Sequence, residues 1–140
     1  MKTYTLTIPA LRIAEGSRTK HWIGFYVSHI YKQPRRVQLR HKAWVHHVWS
    51  CIRAHPQLKR IRGMNADGWR VSTQAYFASK THADAENVHK GLVDALVLRE
   101  GKSSIGSGIF TSDKQLAGAY GAPMYDKENP RIDVVIERHQ

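Results

Sequence analysis

The segment HADAENVHKGLVDAL, residues 82–96, holds three carboxylates, Asp84, Glu86 and Asp94. Hard cations such as Mg²⁺ prefer oxygen ligands and are commonly held by one or two carboxylates together with the phosphates of a substrate. The first two acids are two residues apart, where a predicted strand gives way to a predicted helix, and side chains i and i+2 of extended backbone point to the same side. The spacing therefore predicts that Asp84 and Glu86 face one point, as they would in a metal site that handles a phosphodiester.

The same stretch also has a purely structural interpretation. Asp84 is a favourable N-cap residue, and Glu86 is a first-turn acid of the kind that the helix dipole favours. On the helix, Asn87, Lys90 and Asp94 stand at i, i+3 and i+7 and form one polar stripe, in which Lys90 and Asp94 have the spacing of an ordinary surface ion pair. Spacing alone leaves the two interpretations open.

The distribution of charge favours a polyanionic partner. The chain has 22 Lys and Arg against 11 Asp and Glu, a formal net charge of +11. Residues 1–83 carry 15 basic and 2 acidic side chains, whereas residues 84–140 carry 7 basic and 9 acidic ones. We expect nucleic acid as the partner ahead of an anionic membrane, with one region holding a phosphate backbone and the other using its acids for different work.

Length and cysteine content indicate the class of protein. A chain of 140 residues has the size of one domain, and we assign residues 1–140 to a single domain. Cys51 is the only cysteine, so an intrachain disulfide is excluded and a reducing, cytoplasmic setting is expected. No run of about 18 uncharged apolar residues is present, so no membrane association is expected.

Hydrophobic periodicity predicts an α+β fold, with a mixed sheet packed against a few helices. The predicted strands cover residues 3–9, 69–79 and the stretch after Pro130, and the predicted helices run from Val37 to His55 and from Glu86 to Arg99. Residues 22–32 favour an extended or hairpin segment. The stretch from Arg12 to Lys20 is polar and basic without an assigned element, and residues 101–108 indicate a flexible connector.

Several basic and aromatic side chains are candidates for contact with nucleic acid. The predicted first helix has a basic face opposite its apolar stripe, which is either a solvated surface or a phosphate-binding one. Trp22 and Tyr31 are candidates for stacking on unpaired bases, whereas Trp44 and Trp49 fit the core. The predicted DNA-binding set is Arg35, Arg36, Arg40, Lys80 and His82.

Histidine is abundant, with nine residues, which raises the alternative of a zinc site. His41 and His46 are five residues apart, a poor spacing for two ligands on one helical face, where i and i+4 is favourable. We expect His89 to be exposed. We also expect Cys51 to be a small buried side chain.

The sequence from Asp84 onward resembles the signature of the RusA family of Holliday junction resolvases, Asp-x-Asp-Asn-x-x-Lys, then Asp-Ala-Leu, then a connector and Asp-Asp-x-Gln. The matching positions are Asp84, Glu86, Asn87, Lys90, Asp94-Ala95-Leu96, Asp113 and Gln115. The resemblance covers roughly residues 69–140 and includes the strands before and after the motif. Glu86 and Ser112 stand where the family has Asp, and the connector before Asp113 is several residues longer than usual.

The resemblance implies a RusA-like domain that binds Mg²⁺, or Mn²⁺ in its place, through Asp84, Glu86 and Asp113. It implies that Lys90 assists at the scissile phosphate, so that Asp84, Glu86, Lys90 and Asp113 form the catalytic set, supported by Asn87 and Asp94. It further implies a bacterial or phage-encoded homodimer that resolves branched DNA by paired nicks and is nucleoid-associated when bound.

Two alternatives remain open beside the nuclease. One is a junction-binding protein without catalysis, in which the Glu86 and Ser112 changes have removed activity. The other is an RNA-binding, ribosome-associated domain, for which a charge of +11 is equally suitable.

Overall fold

A central mixed β-sheet organises the chain, which a computed structural model describes over residues 2–24, 29–80, 82–97 and 108–139. The strands are β1 (Lys2–Pro9), β2 (Leu11–Glu15), β3 (Arg18–Trp22), β4 (Trp69–Phe77), β5 (Ala117–Tyr120), β6 (Met124–Tyr125) and β7 (Arg131–Arg138). The helices are α1 (Arg35–Ala54) and α2 (Ala85–Ala95), with short 3₁₀ turns at Ile30–Lys32 and Leu58–Arg60. This arrangement confirms the predicted α+β class.

The main sheet has the order β1-β7-β4-β5, and β6 also pairs with β4. β7 runs antiparallel to both β1 and β4, whereas β5 and β6 run parallel to β4. Strand β4 alternates strictly between buried and half-buried residues because its odd-numbered side chains, from Trp69 to Phe77, face the core. The predicted strands at both ends of the chain are confirmed, and β4 carries the chain directly towards the acidic segment.

Helix α1 packs its apolar stripe into the core, as its 3.6-residue period predicts. Trp44 and Val48 are fully buried, and Ile52 is nearly so. The Trp44 indole N–H donates a hydrogen bond to the Gly91 carbonyl of α2 at 3.4 Å. The two helices are therefore fastened to each other through the buried side of α1.

Helix α2 is shorter than predicted. It ends at Ala95, well before Arg99, because the chain leaves the helix to pair with the segment around Phe110. The Phe110 N–H donates to the Leu96 carbonyl at 3.1 Å, and Val97 forms an isolated bridge with Phe110. The predicted Arg99–Gly101 cap, and all of the predicted connector except Gly108, lie outside the described residues.

A β-hairpin that the sequence reading left unassigned is formed by β2 and β3. Glu15 pairs with Arg18 across the two-residue loop Gly16–Ser17, where Gly16 has φ +62°. Tight two-residue hairpin loops favour residues that adopt positive φ, and glycine does so without strain. The hairpin therefore projects a strand that contains Arg18, Lys20 and His21.

Two histidines, His47 within α1 and His55 directly after it, tie that helix to β1 rather than contributing to a metal site. The His47 Nε2–H donates to the Pro9 carbonyl at 2.7 Å, and the His55 Nε2–H donates to the Thr5 carbonyl at 2.9 Å. Within the described ranges, neither helix has the length and apolar character needed to span a membrane.

Candidate functional site

The acidic segment begins at the N-terminus of α2. Asp84 occupies the N-cap position with extended backbone (φ −63°, ψ 143°), and its carbonyl accepts the Val88 N–H at 3.0 Å. Its side chain makes no capping hydrogen bond, so the carboxylate is not used to satisfy the first-turn amides. Glu86 already lies in the first helical turn, which means that extended-backbone geometry does not bring the two acids to one point. The prediction that extended backbone directs Asp84 and Glu86 to the same side was wrong because the helix starts at Ala85.

Glu86 is instead ion-paired along the helix. Lys90 Nζ lies 3.2 Å from Glu86 Oε1, and the two side chains are 49% and 56% exposed. An ion pair so accessible to water contributes less than about 1 kcal/mol. The Lys90 ammonium can therefore exchange this carboxylate for another anion, such as a phosphate oxygen, at little cost.

Glu86, Lys90 and Asp94 form one stripe along α2, because residues four apart lie on the same helical face. With a rise of about 1.5 Å per residue, Glu86 and Asp94 are about 12 Å apart along the axis. Asp94 is held from α1, since His41 Nε2 lies 3.1 Å from Asp94 Oδ2 and His41 is buried. The contact between the two helices thus holds the Asp94 carboxylate in place.

Asp113 reaches this stripe from another part of the chain. It shares a cleft of about 480 Å³ with Lys90 and Asp94. The other residues that line the cleft are His89, Val93, Leu116, Ala117 and Gly118. Two carboxylates and an ammonium group that are distant in sequence therefore border one space.

The backbone around Asp113 is anchored on both sides. Phe110, fully buried, fixes the approach to the turn, and the Thr111 N–H donates to the Met64 carbonyl at 3.0 Å. The Leu116 N–H then donates to the Asp113 carbonyl at 3.1 Å, and Ser112 Oγ accepts the Lys114 N–H at 3.1 Å. Ser112, which replaces an acid of the RusA pattern, is here a turn residue.

The spacing of these acids suits a magnesium ion held by two carboxylates rather than by three. Among residues 2–24, 29–80, 82–97 and 108–139, no three His, Cys, Asp or Glu side chains are grouped closely enough to hold a metal ion. The acids of α2 are spread along about 12 Å of helix, with Lys90 between Glu86 and Asp94. The donor set nevertheless consists of carboxylate oxygens, and Mg²⁺ is commonly bound by one or two of them plus water and phosphate. The residues therefore fit the ion at the level of donor chemistry.

His89 belongs to the same cleft, and the expectation that it is exposed was wrong. Its side chain is half-buried, with Nδ1 2.8 Å from the Thr73 hydroxyl oxygen of β4. A Cβ at Gly118 would lie only 2.9 Å from His89 Nε2, so the absence of a side chain there admits the imidazole. Burial lowers the pKa of His89, which keeps the ring neutral beside the acids.

The predicted DNA-binding residues lie in three different settings. Arg35 and Arg36 are exposed in the first turn of α1, and Lys80 is exposed beyond β4. Arg40 is half-buried, with its guanidinium 5.0 Å from the centre of the Trp22 ring. His82 stacks on Phe77 with ring centres 3.7 Å apart. Tyr31, 72% exposed, remains a candidate for stacking.

The basic hairpin was missed by sequence reasoning although a signal was present. Leu11 and Ile13 alternate with polar residues before Gly16–Ser17, and a Gly-Ser pair between two alternating runs is typical of a hairpin loop. The high content of basic residues between Arg12 and Lys20 obscured that alternation.

Neither the family models nor the curated proteins with which the chain was compared match it. The assignment of a function therefore depends on the residues and their arrangement.

Proposed function

We propose that this chain is a Mg²⁺-dependent endodeoxyribonuclease of the RusA type that cleaves branched DNA. The observation that carries the proposal is the cleft in which Asp113 lies with Lys90 and Asp94. Asp113 comes from a segment beyond residues 98–107, and its position beside Lys90 and Asp94 supports the resemblance, although Asp84 and Glu86 are not among the residues that line this cleft. A chance match of isolated acids would give no reason for such convergence.

The proposed residues have distinct tasks. Asp113 and the acids of the Asp84–Asp94 segment would hold the ion, which lowers the pKa of bound water and offsets charge on the phosphate when present. Lys90 exchanges its exposed partner Glu86 for a nonbridging phosphate oxygen and stabilises the charge that develops there. His41 orients Asp94 by their 3.1 Å contact. Asn87, exposed on the first turns of α2, supports the start of the helix.

The surrounding charge supports a nucleic-acid substrate. A chain of net charge +11 attracts phosphate backbones over distances of about a Debye length. Arg35, Arg36 and Lys80 are exposed to make such contacts. Paired nicks across a four-way junction require two active sites, so the proposal includes a homodimer.

The test is a nicking assay on a four-way junction with Mg²⁺, with Mn²⁺ and with a chelator. We expect symmetric nicks with either ion and none with chelator. Asp84→Asn should abolish cutting while junction binding stays intact or tightens, since a carboxylate that repels phosphate has been neutralised. Asp67→Asn, an exposed acid in the turn before β4, is the matched control and should cut like the parent. Equal cutting by Asp84→Asn and the parent defeats the proposal.

A second candidate is a nucleic-acid-binding protein without catalysis. It is favoured by one observation, the lack of a three-ligand metal group within the part of the chain that the structure describes. Salt-dependent binding to junction DNA, with no cleavage under any metal, would identify it. Competition among junction DNA, duplex DNA and structured RNA at fixed salt then separates a junction binder from an RNA-binding domain.

A further inference from the structure

A second and larger cavity, of about 710 Å³, lies on the other flank of α2. Three segments form its walls: β3, the end of β4 with the residues that follow, and the start of α2. Its lining residues include Arg18, Lys20, Trp22, Phe77, His82 and Ala83. Binding sites for small organic molecules have volumes of about 300–1,000 Å³, a range that includes this cavity.

One wall of the cavity is cationic. Arg18 and Lys20 are exposed along β3, and no carboxylate occurs among the described residues that line the cavity. Such a wall favours an anion and repels a cation, which distinguishes this cavity from the acidic cleft beside Asp113.

The other walls carry aromatic rings in fixed positions. Trp22 is half-buried beneath the Arg40 guanidinium. His82 is stacked on Phe77 and held at both nitrogens: its Nδ1–H donates to the Ala83 carbonyl at 2.7 Å, and the Tyr125 hydroxyl donates to Nε2 at 3.0 Å. Rings held in this way lose little conformational freedom when a planar ligand packs on them.

The base of the cavity depends on a close approach between the hairpin and α2. Gly24 has φ +142°, and a Cβ there would meet Val88 at 3.0 Å. Glycine thus allows the chain after β3 to approach the helix closely enough to close the cavity on that side.

We propose that this cavity receives one unpaired nucleotide of branched DNA, with the base against Trp22 and His82 and the phosphate against Arg18 and Lys20. A base within a stacked duplex is not accessible to such a cavity, so only a nucleotide outside the stack enters it. Positive charge together with aromatic rings is the combination by which proteins bind single strands. The cavity would therefore select branched or distorted DNA over plain duplex.

The position of the cavity links it to the proposed cleavage site. Ala83 lines it, and the next residue along the chain is Asp84, the first acid of the proposed metal-binding segment. The role of the cavity in selecting branched DNA rests on the proposed nuclease function, although binding of the unpaired nucleotide does not require cleavage.

The test measures binding in chelator, so that no cleavage occurs, with fluorescent 2-aminopurine as the probe. One duplex carries a single unpaired 2-aminopurine, and a second has the same sequence fully paired. We expect the parent to bind the bulged duplex about tenfold more tightly and to quench its fluorescence through stacking. Trp22→Ala should lose most of this preference, whereas Trp22→Phe, which keeps a ring, should retain it.

The matched control compares two double variants that each remove two positive charges. Arg18→Ala/Lys20→Ala should weaken binding of the bulged duplex about tenfold more than Lys59→Ala/Arg60→Ala, whose exposed residues do not line the cavity. Arg18, Lys20, Lys59 and Arg60 are all exposed, so the double variants keep the test valid if Trp22→Ala unfolds. Equal affinity of the parent for both duplexes, or equal effects of the two double variants, overturns the proposal. If the parent cuts junctions but shows no preference for the bulged duplex, the nuclease proposal stands and only the proposal of a nucleotide-binding cavity fails.

Discussion

The two flanks of α2 differ sharply in charge. On one flank the cavity is bordered by Arg18 and Lys20 from the hairpin, with no acid among the described residues that line it. On the other flank the cleft is bordered by Asp94 and Asp113 together with Lys90. The asymmetry between the basic first part of the sequence and the more acidic second part thus becomes a spatial one, with a single helix as the boundary. A polyanion held on the basic flank would present its backbone to the acids without being repelled from the whole surface.

The largest expected effect comes from removing an acid of the cleft. Asp113→Asn should reduce junction cleavage at least about hundredfold, because a metal ligand or an electrostatic group at the scissile phosphate is lost. Junction affinity in chelator should stay the same or rise. Asp67→Asn serves as the control, and a parental cleavage rate in Asp113→Asn would remove the acidic flank from the account.

A smaller effect is expected on the basic side of the molecule. Arg35→Ala/Arg36→Ala should weaken junction and duplex binding alike, by about tenfold, and reduce the slope of log affinity against log salt by about 2. Filter binding across a salt series measures this. An unchanged slope would show that the start of α1 makes no phosphate contact.

The contact between helices should contribute to stability as well as to the site. His41→Gln is expected to lower the free energy of unfolding by about 1 kcal/mol, because Asp94 loses a partner that is largely buried. Denaturant unfolding of His41→Gln, Asp94→Asn and the double variant gives the coupling between them. Additive effects would mean that the 3.1 Å contact does not stabilise the fold.

The smallest effect concerns His89 and pH. Burial lowers its pKa in the folded state below the ordinary value of 6.5, so the unfolded chain takes up the proton first as pH falls. The stabilisation by neutral His89 is therefore complete above pH 6.5 and is lost as pH falls through the lower folded pKa, by less than about 1 kcal/mol. The titratable groups around His89 are Lys90, Asp94 and Asp113, which border the same cleft, and Tyr120, whose ring packs near the imidazole.

His89→Gln provides the measurement of that contribution. Unfolding free energies of parent and variant are compared between pH 7.5 and pH 5, and the variant should show the shallower decline. Identical pH profiles would contradict a role for burial of this imidazole.

Periodicity predicted the elements of the core, because burial imposes a repeat of two on strands and 3.6 on helices. Strands β1, β4 and β7 and the apolar stripe of α1 therefore agree with the sequence reading. The hairpin was missed because the alternation of Leu11 and Ile13 is short and β3 is largely exposed, so the basic residues dominated the pattern. The early end of α2 was missed because it depends on Phe110, a partner distant in sequence.

For the site, the motif indicated the participating residues better than their arrangement. Lys90, Asp94 and Asp113 meet in one cleft, but local backbone geometry wrongly placed Asp84 and Glu86 on one side of an extended strand. The contact of His41 with Asp94 and the burial of His89 against Thr73 were not predicted, because they join α2 to α1 and β4, which are distant in sequence.

The most direct test of the central claim, that acids distant in sequence converge on a divalent ion, is anomalous diffraction from crystals soaked in Mn²⁺. The account predicts a manganese peak coordinated by an Asp113 oxygen together with at least one carboxylate of the Asp84–Asp94 segment. A peak that lies away from Asp113, or no peak at saturating Mn²⁺, would contradict it.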